Sequence, residues 1–380
     1  MAIQTQEKNK ESKMPGTTTV ILVVGLLCMV AVLIYSAVKS GNVYTSYSLE
    51  QTLSRGDNTS VYYQIMQKGM LRYSSDGAAM TDKSGNLLWN QTYQMSSPAI
   101  AAGDDYAAIA DIDSNDIYVF DGSGEVSHIV TDVPIQDLEI ADQGVVAAIL
   151  SDTTSNYINL YDKSGNALVS IKATLENTGY PIAMALSPDA TGLTVSYLVI
   201  GSGAVQTQAV FYNFSDSGSD YVTGTLVLDG LYPKLDYLDR TRVVLYGEQC
   251  FRLYQVGGSE ISEVRTVEFE DDIRSVFSGN QKIGFIFKNN DDQGSYRLEI
   301  YDLAGQMNST IYTDFEYYKV VSGSDEIILY DDHEIMIYEY DGHAKFVCDM
   351  NQFFTDVMAS WQTNSYWVIS DQYLQEISLE

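Results

Sequence analysis

Residues 135–173 read IQDLEIADQGVVAAILSDTTSNYINLYDKSGNALVSIKA. Four short runs rich in β-branched, Leu and aromatic residues lie in this stretch, at 135–140, 145–150, 157–162 and 167–173. Asp, Ser, Gly and Asn separate them, which is the chemistry of tight turns. Each run is too short for a stable helix and suits a strand. The third run ends in Leu160-Tyr161-Asp162 and enters Lys163-Ser164-Gly165. That ending recurs along the chain. It appears at Met80-Thr81-Asp82, Phe120-Asp121, Tyr212-Asn213, Tyr254-Gln255, Tyr301-Asp302 and Tyr338-Glu339, each with a glycine shortly after. Successive marks lie 37 to 51 residues apart, about 43 on average. A period of 40–45 residues filled by four short strands is the signature of a β-propeller blade.

The expected fold is therefore all-β, a single propeller. Seven strand C to strand D hairpins carry the mark. After the last of them the chain still holds strand-like runs at 356–360, 366–370 and 373–379, but no fourth. Residues 42–53 (NVYTSYSLEQTL) look extended and precede the first blade. Their pairing with 373–379 would complete an eighth blade and remove the exposed edges of an open ring. Val43, Tyr47 and Leu49 would share one face of that strand. Eight blades are expected, with seven blades and a three-strand appendage as the alternative. Cys250 and Cys348 fall two blades apart, beyond the reach of a disulfide.

The chain has 380 residues, with 21 Lys+Arg against 51 Asp+Glu, and a net charge of −30. Such a surface repels phosphate backbones, which argues against nucleic acid as a partner. Three Cys and three His are too few for a disulfide scaffold, a zinc-finger fold or an iron–sulfur protein. No cofactor is called for.

One segment departs from the strand pattern. Residues 20–38 (VILVVGLLCMVAVLIYSAV) are apolar but for Gly25 and Ser36, and no charge lies between Lys13 and Lys39. At about 1.5 Å per residue the run matches a hydrocarbon core of about 30 Å. It is longer than the apolar core of a cleaved signal peptide and lacks a good cleavage site, so a signal anchor is expected. Lys8, Lys10 and Lys13 precede it, and only Lys39 and Arg55 follow closely. The positive-inside rule then places the N-terminus in the cytoplasm and the large domain outside. The expected organisation is a cytoplasmic tail at 1–17, a transmembrane signal anchor at 18–39 and an extracytoplasmic propeller at 40–380. From Lys39 onward the charge is −31.

The segment Ala79-Met80-Thr81-Asp82-Lys83-Ser84-Gly85-Asn86-Leu87-Leu88-Trp89 resembles the quinoprotein-type propeller repeat, where Asp-x-x-Gly-x-x-x-Trp spans the C–D hairpin. That resemblance implies that Trp89 docks on the neighbouring blade. The other hairpins lack the Trp. The whole layout is similar to an uncharacterised family of membrane-anchored propeller proteins from Gram-positive bacteria: basic tail, one span, SSDGAAMTDKSGNLLWNQTY, then degenerate blades. That family is a domain of unknown function, so it implies fold and topology and supplies no activity.

Candidate chemistry is sparse. Asp111, Asp113 and Asn115 place oxygen ligands at alternate positions, as calcium loops do, but Asp116 and Gly122 stand where an EF-hand has its Gly and Glu. Asp and Asn are also ordinary turn residues. Asn289-Asn290-Asp291-Asp292 and Asp331-Asp332-His333-Glu334 are further acidic turns. No catalytic residue stands out by spacing. The function expected is a non-enzymatic interaction or ligand-sensing propeller at the outer face of the cytoplasmic membrane, with a protein or cationic partner. The rivals are a quinoprotein-like or glycan-active propeller enzyme and a structural subunit of an envelope complex.

Overall fold

In the computed structural model the described residues are 43–380, apart from 57–59, 154, 175, 177, 202, 216–220 and 258–259. The signal anchor expected at 18–39 and the tail before it lie outside them. Among the described residues no helix is long and apolar enough to cross a membrane. Residues Thr45–Glu380 make one compact unit.

Eight four-stranded antiparallel sheets form that unit. We number them as blades 1 to 8 and letter the strands A to D from the first to the last in each sheet. Blades 1 to 7 are contiguous, at 62–92, 98–130, 135–173, 180–229, 234–268, 273–313 and 319–349. Blade 8 takes strands A, B and C from the C-terminus (Asp356–Ala359, Ser365–Ile369 and Tyr373–Leu379) and strand D (Tyr47–Ser54) from the N-terminal side. Tyr47 pairs with Leu379 and Ser54 with Tyr373, antiparallel. The eight-blade expectation holds and the seven-blade alternative falls.

Each strand's pattern follows from its place. Strand B is covered on both faces by neighbouring blades, so its side chains are apolar without alternation. Ile327–Tyr330 (IILY) and Tyr366–Ile369 (YWVI) are buried throughout. Strand D alternates, as in Ala167–Ala173, because its outer side meets water. Core clusters bridge the blades. Ile117 and Val119 of blade 2 pack with Val146 and Leu150 of blade 3, and Phe251 of blade 5 with Phe285 of blade 6. Blade 8 meets blade 1 through Trp367, Leu374, Leu53 and Met70.

The recurring turn has a physical cause. Asp82 Oδ1 accepts hydrogen bonds from the backbone N–H of Ser84 and of Asn86, both at 2.9 Å. Asp162 does the same for Ser164 and Asn166, and Asp302 for Ala304 and Gln306. The glycine follows in the left-handed region, at φ +83° for Gly85 and +86° for Gly165. In each of blades 1 to 7 the C–D pairing also slips at the residue before that polar mark, as between Met80 and Thr81 or Leu160 and Tyr161. Trp89 stacks on Phe120 of blade 2, with centroids 5.1 Å apart and planes 9° from parallel. This is the docking that the quinoprotein-type resemblance implies.

The closing strand pairs antiparallel with the C-terminal strand as expected but differs in extent. It begins at Tyr47 rather than at residue 42, and a bulge lies between Leu49 and Gln51. On the face expected to carry Val43, Tyr47 and Leu49, Val43 and Leu49 are exposed. Beyond the bulge Gln51 and Leu53 turn to blade 1. Gln51 Nε2 donates to the Ser84 carbonyl, and a Cβ on Gly85 would stand 2.8 Å from a Leu53 methyl. Cys250 and Cys348 are both free thiols, as the two-blade separation requires.

Candidate interaction faces

Topology sorts the loops. In a ring of antiparallel A-B-C-D blades, the B–C and D–A loops share one face of the disc, and the A–B and C–D loops share the other. The first face is built from carboxylates. Its B–C loops carry Asp76 in blade 1, Asp113 in blade 2, Asp152 in blade 3, Glu248 in blade 5, Asp291 in blade 6, Asp331 in blade 7 and Asp371 in blade 8. Its D–A loops add Asp132, Glu176, Asp271 and Asp314. Arg55 is the single Lys or Arg among the described loop residues of this face. Its Nη1 donates to the Ser370 carbonyl and its guanidinium lies 5.3 Å from the Tyr63 ring. The opposite face mixes signs: Lys68, Lys83, Lys163 and Arg240 stand among Asp104, Asp142, Asp239 and Asp302.

Blade 4 interrupts the acidic face. Its strands B and C (Gly192–Gly201 and Ala204–Asn213) are the longest of the described strands and carry no charged residue. Near their tip Ile200 is 78% exposed and pairs with Val205, itself exposed.

The loops singled out in the sequence all lie on the acidic face. Asp111 is buried, and its Oδ1 accepts the N–H groups of Ser96 and Ser97 at 2.9 and 2.7 Å, fastening the entry to strand A of the same blade. Asp113, in the left-handed region at φ +63°, receives the Gln136 amide at 3.0 Å. Asn115 donates its Nδ2 to the Thr131 carbonyl at 2.7 Å. The three oxygen-bearing groups thus serve three different partners rather than one centre. Asn289 likewise turns inward, donating to the Gly294 carbonyl.

Ligating atoms of Asp331, Asp332 and His333 come within 4.8 Å of one another. Asp331 Oδ1 already accepts the N–H groups of His333 and Glu334, and Asp332 Oδ1 sits 2.6 Å from His333 Nδ1. The His333 ring leans on Phe353 with centroids 4.1 Å apart. His128 lies within strand D of blade 2. It stacks on Tyr118 at 4.1 Å and contacts Asp116 at 2.7 Å.

Strand-A carboxylates of blades 3 and 5 add a second acidic zone, one that spacing does not reveal. Glu139 in blade 3 is only partly accessible. Its environment pushes its carboxyl up to about 8: burial first, then Asp137 beside it and Asp236 of blade 5, with Lys234 opposing. Burial also raises Asp137. Asp236 accepts from Ser278 Oγ at 2.8 Å and pairs with Lys234 at 3.5 Å. The groups come from blades 3, 5 and 6, just over 140 residues of chain apart at the extremes, so no local motif could announce them.

Comparisons with solved structures agree on the architecture. BamB from Moraxella catarrhalis superposes with a TM-score of 0.55 at 12% identity, covering 88% of this chain and all of that one. The computationally designed Ika8 protein gives 0.56 at 11%, covering 90% and 100%. Sqt1 from Chaetomium thermophilum, solved bound to the N-terminus of ribosomal protein L10, gives 0.54 at 11%, covering 89% and 100%. At such identities the likeness is one of fold. No curated protein matches the chain by sequence. A family model does match, over residues 40–379, and the chain accordingly belongs to the family of unknown function DUF5711.

Proposed function

We propose that this chain is a non-enzymatic binding propeller, held at the outer face of the cytoplasmic membrane by a signal anchor at 18–39, and that its B–C/D–A face receives a cationic protein partner. The observation that carries the reading is the segregation of charge. Carboxylates ring one face almost without bases, while the other face is mixed. A field of one sign over a rigid disc draws oppositely charged partners and rejects anionic ones. Propellers of this fold take protein ligands elsewhere, as Sqt1 does with the N-terminus of L10. Trp89 has a packing role on Phe120, so the quinoprotein-like hairpin serves architecture and does not by itself argue for a redox enzyme.

Affinity capture with the full-length protein from solubilised membranes tests the reading. The expected result is a basic partner retained at low ionic strength and released as salt rises, since screening shortens to about 8 Å at physiological salt. Replacing Asp331, Asp332 and Asp371 together by Asn should weaken capture. Salt-independent capture that ignores these changes would turn the reading toward a structural subunit held by apolar contacts. Turnover of a glycan or a quinone-coupled substrate by the purified chain would turn it toward an enzyme.

A further inference from the structure

A hollow of about 450 Å³ opens on the acidic face where blades 7 and 8 meet. Asp332 and Asp371 line it from the B–C loops of these blades, Gln352 and Phe353 from the loop between them, and Tyr373 from strand C of blade 8. Two aromatic rings here stand open to solvent, Phe353 at 68% and Tyr373 at 40% exposure. The neighbouring Phe354 is buried against Tyr330, and it takes the core position that would otherwise draw Phe353 inward. His333 backs Phe353 at 4.1 Å and gives its Nδ1 proton to Asp332 Oδ1. That leaves Asp332 Oδ2 for another donor. No Lys or Arg lines the hollow. Arg55 stands at its edge, its Nη1 donating to the carbonyl of the lining Ser370 at 2.9 Å and its guanidinium 5.3 Å from the Tyr63 ring.

Exposed aromatic rings beside two carboxylates, in a hollow whose lining carries no Lys or Arg and whose edge base Arg55 is engaged by the Ser370 carbonyl, are chemistry for a cation with an apolar stem. A ring face attracts an ammonium through its quadrupole, and a carboxylate supplies charge and a hydrogen-bond acceptor. A bare metal ion would leave the rings unused. An apolar ligand would strip water from the carboxylates without compensation. We infer that this hollow binds an alkylammonium group, and that its occupant is a lysine side chain of the partner. The inference rests on the acidic face being the docking face, and it names the place on that face where a single side chain is gripped.

Calorimetric titration of the full-length protein in detergent micelles tests it, with N-acetyl-lysine-N-methylamide as the probe and N-acetyl-norleucine-N-methylamide as its uncharged control. The lysine probe should bind saturably and weakly, and the norleucine control should not. Phe353→Ala should weaken the lysine probe about two- to fivefold, the size of one cation–π contact at an exposed ring. Phe353→Tyr should retain it, and Asp371→Asn should weaken it. Because Phe353 is exposed, Phe353→Ala should melt with the parent protein, which separates lost binding from lost folding. No saturable binding, equal binding of the norleucine control, or indifference to Phe353→Ala would each overturn the inference. Salt-sensitive partner capture that persists in such a case would leave the wider reading of the face standing.

Discussion

Trp89 and Glu139 show two ways in which one residue is committed by its blade. Trp89 lies flat on Phe120 and leaves its Nε1 without a hydrogen-bond partner. Truncation to Ala removes the stack and should cost about 2 kcal/mol, at or below the usual range for a buried aromatic because the ring is half-buried. Trp89→Phe keeps the stack and drops the orphaned donor, and should cost less than about 1 kcal/mol. Denaturant unfolding of the two variants checks the order. Glu139 gives a pH dependence. Its carboxyl titrates near 8 in the fold, driven there by burial and by Asp137 and Asp236, and near 4.3 in an unfolded chain. Between these values the unfolded state has lost a proton that the folded state keeps, so stability falls as pH climbs from about 4.5 to 8. Melting temperatures from pH 5 to 8 should therefore decline, and Glu139→Gln should flatten the decline and raise the value at pH 8. Trp89 was legible through the Asp-x-x-Gly-x-x-x-Trp resemblance, which implied docking on the neighbouring blade where Phe120 lies. Glu139 was not, because its burial is set by the assembled ring and Asp236, which also raises it, arrives from blade 5.

At the scale of elements, the strand that closes the ring is the sensitive one. Strand D of blade 8 is held by Tyr373–Leu379 along its length and by Leu53 and Gln51 against blade 1. A chain that begins at Ser60 should be less stable than one that begins at Gly41 by more than about 3 kcal/mol, or should aggregate through the bared strand C. Leu53→Asp in the longer chain should lose about 2 kcal/mol for the same contact. Equal melting temperatures of the two chains would remove the strand from the fold's energetics. The blades, their order and this closure could be read from the period and from the missing last strand. The register of the closing strand could not. Alternation carries the face of Tyr47 and Leu49 on to Gln51 and Leu53, and a single inserted residue reverses the face beyond Leu49. Bulges at the same point of the C–D pairs in blades 1 to 7 mark the aromatic-Asp repeat as a backbone device.

Over the whole molecule, composition gave a charge but no map. The net −30 says that a cation is preferred somewhere. Only the sorting of loops by topology shows that one face concentrates the carboxylates and the other mixes them. The acidic turns at 111–116, 289–292 and 331–334 were visible in the sequence as isolated candidates. Their common face is a property of the ring, and the partners that Asp111 and Asn115 engage are backbone groups that no spacing reveals. The membrane reading yields its own test: protease added to intact cells or spheroplasts should digest the propeller, and protection of the residues after Lys39 in an inserted protein would reverse the topology. The central claim, that a cationic partner docks on the B–C/D–A face, is met most directly by site-specific photocrosslinking in living cells, with a photoreactive residue placed at Gln352 on that face or at Asp302 on the opposite one. We expect a basic protein crosslinked from position 352, diminished at high salt in membranes, and little or nothing from position 302. Crosslinks confined to position 302, or an acidic protein captured from position 352, would contradict it.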